Sequence, residues 1–425
     1  MSRRVLGCLG QCSSRVFAIE TDPKVDPVYF SLIKNPPTDA EMPAFQEIFG
    51  REKSYSFQVC VEDRIQRALL HDDLRHQLIS GFGGDVKVFE MSSFRPNAQN
   101  SLVKGFFVNG VCGTPETDQT LSKLLQSNRL AVCTYVPGDA VGRWCQEPLR
   151  PAKDGAAAAA GRYGVVPVPS PDHHPSALDI INSSVFYNFI EAHNVMAECA
   201  HVITEAKHVL QRVDQTLPMR TTDRFPVIVI EGLDATGKTT LTESLKQSLG
   251  GVLLRSPPPC LSPWRACFDA KPALFRRAFY ALGNYVTAAH ISAESARAPV
   301  IVDRYWHSTA AYGIGTSVSG KVGNLPPRGS EVYRWPGDLL RPDLVLLLTV
   351  SPEERLRRIR GRGGEKTREE VELEANQLFR SKVEEAYRRM EDPACVVVDA
   401  SPSAAEVLQQ VLLVIKEKVH VQGSL

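Results

Sequence analysis

The chain has 425 residues, enough for two or three domains, and 43% of them are hydrophobic, so each can hold a core. Its 49 basic and 48 acidic residues leave a formal net charge of +1, which excludes a chain drawn as a whole to nucleic acid or an anionic membrane. No apolar run approaches the roughly 20 residues of a bilayer-spanning helix. The ten cysteines show no C-x-x-C pair and no zinc spacing with histidine, so buried reduced thiols are expected.

Residues 1–17 carry Arg3, Arg4 and Arg15, several serines and no acidic residue, the composition of a mitochondrial presequence. The alternative is a frayed basic terminus on a cytoplasmic protein. Residues 18–145 read as an α+β domain of unassigned role. Strands are expected at 15–19, 28–33, 55–61, 86–91, 104–108 and 130–136, and leucine spacing predicts helices at 64–79 and 117–126. The order β-α-β-β-α-β suggests a split βαβ sandwich. Residues 146–177 read as a linker, with the alanine run 156–160 followed by Pro167, Pro169, Pro171 and Pro175. Residues 178–223 read as a connecting helix whose stripe includes Phe186, Phe189, Val195, Ile203 and Val209.

From residue 224 onward, strand and helix alternate. Strands are expected at 227–230, 252–255, 299–303, 344–350 and 395–399. Helices are expected at 238–249, 271–297, 352–361, 367–391 and 402–418. This rhythm implies a doubly wound parallel sheet, with ligands outside the carboxyl ends of its strands. Gly232, Gly237, Lys238 and Thr239 fit G-x-x-x-x-G-K-[ST] immediately after an apolar strand and before a helix striped by Leu241, Leu245 and Leu249. Glycines let backbone amides close around phosphates, and the helix N-terminus adds about half a positive charge. Gly232, Leu233, Asp234, Ala235, Thr236, Gly237, Lys238, Thr239 and Thr240 are therefore the expected ATP-binding loop. Lys238 would reach the β- and γ-phosphates, and the Thr239 hydroxyl would sit on Mg²⁺.

Two further clusters belong to the same rim. Asp303 and Arg304 end the strand at 299–303, where a carboxylate can hold Mg²⁺ through water and a guanidinium can clamp a second phosphate. Arg355, Arg357, Arg358, Arg360, Arg362, Lys366 and Arg368 surround Gly361, Gly363 and Gly364, a cationic segment able to close over a transferring phosphoryl group.

Together these pieces resemble the thymidylate-kinase-like nucleoside monophosphate kinases, over residues 225–420. The likeness rests on the glycine loop, Asp303-Arg304-Tyr305, Ser308-Thr309 with Tyr312, Arg341-Pro342-Asp343 and the arginine segment. Within that family the chain is most similar to the mitochondrial UMP/CMP kinase branch, through residues 279–285, 303–309 and 351–355. The resemblance implies ATP with Mg²⁺ as donor, UMP, CMP and their deoxy forms as acceptors, and a mitochondrial address. It implies that Asp234 contacts the acceptor sugar, that Phe279 stacks on the acceptor base, and that Asp303 organises metal and acceptor phosphate. It implies that Arg304 clamps that phosphate and that Arg360, Arg362 and Arg368 are lid cations. Arg255, Asn284, Ser308 and Tyr312 complete the expected acceptor site. Lys238, Arg304 and the lid arginines are the expected catalytic set, and Thr239 and Asp303 the metal set.

Two positions depart from the family pattern. Ala235 stands where some members carry a loop arginine. Gly283 stands four residues after Phe279, where thymidylate kinases carry a base-binding arginine, which weakens the case for dTMP. Nucleotides are the expected partners, with a homodimer through the kinase domain left open. Competing readings are a dTMP kinase or deoxynucleoside kinase, which acts on a different acceptor, and a non-catalytic nucleotide-binding module. A P-loop GTPase would need a guanine-reading N-K-x-D, which the chain lacks.

Overall fold

The computed structural model describes residues 14–34, 43–50, 53–83, 86–96, 98, 100–139, 142–151, 157–216, 224–360 and 376–419. They form two units. One comprises Met1–Asp179 with Ser319–Asn324, the other Ile180–Val318 with Leu325–Leu425.

The first unit is built on alternation. Strands β1 (Val16–Glu20), β2 (Val28–Ile33), β3 (Lys53–Val59), β4 (Lys87–Phe94), β5 (Val103–Val111), β6 (Leu130–Pro137), β7 (Trp144–Pro151), β8 (Ala157–Ala159) and β9 (Tyr163–Pro167) form one sheet in the order β6-β3-β5-β4-β1-β2-β9-β7-β8. An additional antiparallel β6–β7 pairing closes eight of them into a barrel, leaving β8 outside on β7. Along β3, Tyr55, Phe57 and Val59 join one apolar cluster. Helices α2 (Arg64–Phe82) and α3 (Pro115–Leu125) complete that cluster with Leu74, Leu78, Leu121 and Leu124. The alternate residues Ser54 and Ser56 are buried on the opposite face. There a second cluster gathers Phe17, Phe30, Phe107, Tyr135 and Trp144. The short helix α1 (Pro43–Phe49) adds Phe45 and Phe49, the latter stacked on Tyr135 at 4.6 Å between ring centres. An eight-stranded barrel is narrow enough for its own side chains to fill it.

The expected split βαβ sandwich is therefore replaced by a closed barrel, and the expected linker at 146–177 by the strands that close it. Its proline content hid an alternation in which Trp144, Gln146 and Val165 are buried. A strand receives its partners from both neighbours, which local composition does not record.

In the second unit, α4 (Phe189–Cys199) and α5 (Thr204–Asp214) replace the single connecting helix. They pack on the long helix α8 (Ala273–Ser295). The stripe ran unbroken in the sequence because Ile203, in the turn between them, is itself buried. Residues 217–223 lie outside the described residues. Strands β10 (Val227–Gly232), β11 (Val252–Arg255), β12 (Val300–Asp303), β13 (Leu344–Thr349) and β14 (Val396–Asp399) make an all-parallel sheet in the order β11-β12-β10-β13-β14. Its central strands are buried and apolar up to their carboxyl ends, where Glu231 and Asp303 stand, because helices cover both faces. One face is packed by Leu241 and Leu245 of α6 (Lys238–Leu249) and by Val407, Val411 and Ile415 of α12 (Ala404–Lys418). The remaining helices are α7 (Ser262–Asp269), α9 (Trp306–Ser317), α10 (Pro352–Arg360) and α11 (Gln377–Arg389). Neither α7 nor α9 was expected from the sequence.

Gly105 tests the barrel wall. A Cβ there would lie 2.0 Å from the Phe57 carbonyl oxygen on β3, a backbone atom with no freedom to retreat. Gly105→Ala is expected to destabilise the protein by about 1–3 kcal/mol. An unchanged thermal melt would show that β3 and β5 do not approach so closely.

Candidate functional site: a glycine loop facing an arginine clamp

Parallel pairing sets the rim. Asp303 ends β12 opposite Ile230 of β10 and Arg255 of β11, so the ends of three strands meet beside the glycine loop. The loop's shape follows from its residues. Gly232 has φ of 142°, and a Cβ there would lie 2.6 Å from the Leu348 carbonyl oxygen on β13, which restricts the position to glycine. Gly237 has φ of 94° and leads straight into α6. Ala235, with φ of 63°, takes the same left-handed region without being glycine, a strain of roughly 1 kcal/mol. Lys238 is buried and its Nζ donates to the Leu233 carbonyl at 2.7 Å. Burial, aided by the Arg304 charge, pushes its amine down to about 8.

Arg304 also has a left-handed φ, 64°, which turns its side chain back toward the loop. Its Nη2 donates to Asp234 Oδ1 at 2.6 Å, its Nη1 donates to Ser308 Oγ at 3.2 Å, and its Cζ lies 5.8 Å from the Tyr312 ring centre. Glu231 holds this turn. Fully buried at the end of β10, it accepts from the Tyr305 amide at 2.9 Å and the Ser308 amide at 3.2 Å, and also from the Ser308 and Tyr387 hydroxyls. Burial raises its pKa, and the Ser308 hydrogen bond opposes that rise. Arg255 Nε lies 3.6 Å from Asp303 Oδ2, while Asp303 Oδ1 is buried without a hydrogen-bond partner among the described residues.

A cleft of about 800 Å³ opens at this rim. Most of the expected residues line it: Asp234, Ala235, Gly237, Lys238, Thr239 and Thr240 from the loop, and Arg255, Asp303, Arg304, Ser308 and Tyr312 opposite. Gly232, Leu233 and Thr236 shape the loop from behind, Thr236 Oγ1 donating to the Leu233 carbonyl at 2.9 Å. Asn284 stands behind the wall, its Nδ2 donating to Thr309 and its Oδ1 accepting from Ser256. Phe279 is corrected. It is fully buried and stacked on Phe268 at 4.8 Å, while its neighbour Tyr280 lines the cleft. One residue turns the side chain by about 100° around a helix, and the aromatic pair gave no sign of which ring faces inward. The side chain of Arg360, and Arg362 and Arg368 entirely, lie outside the described residues.

Sequence reasoning assigned no separate role to several residues. Glu231 directly precedes the motif and was given no role of its own. Arg265 and Arg277 line the cleft from α7 and α8. Arg358 lay unresolved within a charge run. Its Nη1 comes within 3.6 Å of a Cβ built on Gly237, and its Nη2 donates to the Ala400 carbonyl at 2.8 Å. The arrangement offers a glycine loop and a lysine for one polyanion, and two arginines with a carboxylate for a second beside it.

A family model described as Thymidylate kinase matches residues 230–411. The human protein named UMP-CMP kinase 2, mitochondrial, is 45% identical over 98% of this chain and 96% of its own length. Thymidylate kinase of Xanthomonas oryzae pv. oryzae (strain PXO99A) is 32% identical over 43% of this chain and 80% of its own. The solved thymidylate kinase of Candida albicans is 21% identical, covers 46% of this chain and 93% of its own, and has a TM-score of 0.37. The full-length relative and the matched model lead to one conclusion, that the chain belongs to the thymidylate-kinase-like nucleoside monophosphate kinases.

Proposed function

We propose that the C-terminal unit transfers the γ-phosphoryl group of ATP to a pyrimidine nucleoside monophosphate, UMP or CMP and their deoxy forms, giving the diphosphate. The observation that carries the site assignment is the 2.6 Å pair between Arg304 and Asp234. It sets the Arg304 guanidinium within a side chain's length of the glycine loop, which supports a role as acceptor clamp. The relative that spans the chain, named UMP-CMP kinase 2, mitochondrial, supports this acceptor class and a mitochondrial address.

The chain's own work is alignment and charge neutralisation. Loop amides and Lys238 hold the donor's β- and γ-phosphates. Arg304 and Arg255 exchange their carboxylate partners for the acceptor phosphate, which is already ionised and needs no general base. Mg²⁺ fits the donor set, since the Thr239 hydroxyl and the buried, unpartnered Oδ1 of Asp303 face the same cleft. When bound, it would neutralise charge on the β- and γ-phosphoryl oxygens. Ala235 brings no cation to the loop, so Arg360, Arg362 and Arg368 are assigned to meet the charge of the transferring group. Gly283 also bears on the base. A Cβ there would lie 2.8 Å from Pro257 Cβ, so this wall has no room for a thymine-reading arginine without rearrangement.

ADP release with ATP against CMP, UMP, dCMP, dUMP, dTMP and AMP tests the reading, and a preference for AMP or dTMP would overturn the acceptor class. Lys238→Ala should cut turnover by about 100- to 1,000-fold, and wild-type turnover would refute the donor site. Arg304→Ala should raise the acceptor KM by about 10- to 100-fold and the ATP KM by much less; equal effects would argue against the clamp.

Lys238 also predicts a pH dependence. Its free-state pKa is about 8, and bound phosphates favour the charged amine, so the bound-state value is higher. Below pH 8 both states are protonated and ATP affinity is level. Above it, binding takes up a proton and affinity falls, by up to about tenfold per pH unit. Calorimetry at pH 9 in buffers of different ionisation heat reads that uptake. A zero value would show that Lys238 is already charged in the free protein.

A further inference from the structure

We propose that Arg355 is a positioning residue of the glycine loop: it fixes the Asp234–Ala235 peptide and thereby aims the Ala235 amide at the donor's phosphates. The proposal rests on the kinase reading of the same site. Arg355 sits in the first turn of α10, is 4% exposed, and is not among the side chains lining the cleft. Its Nε donates to the Asp234 carbonyl at 3.0 Å, and its Nη2 is buried with no hydrogen-bond partner among the described residues. Burying a guanidinium so incompletely satisfied is costly, and burial together with the Arg380 charge lowers its pKa. A stability role alone accounts poorly for keeping such a group there.

The geometry supplies a reason. In a planar trans peptide the carbonyl and the following N–H point in opposite directions. Holding the Asp234 carbonyl toward Arg355 turns the Ala235 N–H the other way, toward the side from which the loop receives phosphate. That peptide leads into Ala235 at its left-handed φ of 63°, a conformation an alanine leaves readily if nothing holds it. Asp234 also carries the carboxylate that holds Arg304. Arg355 therefore steadies, from behind, the residue on which donor loop and acceptor clamp meet. It touches neither nucleotide, so it is not a catalytic residue.

The test is binding of a fluorescent ADP analogue, without acceptor, to Arg355→Met and Arg355→Lys, with melting temperatures measured alongside. Arg355→Met should weaken ADP by about tenfold or more while melting within a few degrees of wild type. Arg355→Lys keeps a donor and should recover much of the loss. Wild-type ADP affinity in Arg355→Met overturns the proposal. If Arg355→Met melts far below wild type, Arg355→Lys is the variant read. Full melting temperature with no recovery of ADP affinity then overturns the proposal, and recovery supports it. ADP binding needs no phosphoryl transfer, so a protein that binds ADP through the loop yet makes no diphosphate fails the kinase reading and leaves this one standing.

Discussion

The site is organised by a single buried carboxylate. Glu231 lies at the end of the central strand, one residue before the glycine loop, and receives two backbone amides and the Ser308 hydroxyl from the turn that carries Arg304, and the Tyr387 hydroxyl from α11. Without it those amides would be buried and unsatisfied, a cost of about 1–3 kcal/mol each. With it, the end of β10 and the start of α9 become one piece, and Arg304 is held in a left-handed conformation that its own preferences disfavour. The glycine loop and Arg304 are thus set against each other by the protein's own contacts, which suits a reaction governed by alignment.

The resting charges are arranged in crossed pairs. Arg304 lies on Asp234, Arg255 faces Asp303, and Lys238 is tied to a backbone carbonyl. These three cations each have a protein partner, so none of them stands in the cleft as a bare positive charge. Under the proposed function, binding would exchange one set of partners for another, and the energy of the new contacts would be reduced by that of the old.

Much of the kinase unit was legible in the sequence because its signals are local. A glycine loop after an apolar strand, Asp303-Arg304 at a strand end and five unbroken apolar runs each specify their own geometry. What the sequence could not show depended on partners distant along the chain. Phe279 and Tyr280 differ by one helical step, and only Phe268 decides which of them is buried. Glu231 acquires its role from residues more than 70 positions away. In the barrel the first six strands were visible, but the ones that close it were not. Closure pairs the expected strands β6 and β2 with β7 and β9, which lie in a stretch whose proline and alanine suggest no sheet.

That closure also dictates an order of assembly during synthesis. Strand β2 finds its second neighbour only when residues 164–167 have been made. Until then its edge is open to other chains. The segment Ser319–Asn324, made later still, belongs to the same unit. The N-terminal unit is therefore discontinuous along the chain. Its last piece arrives only after the glycine loop and the clamp have themselves been made.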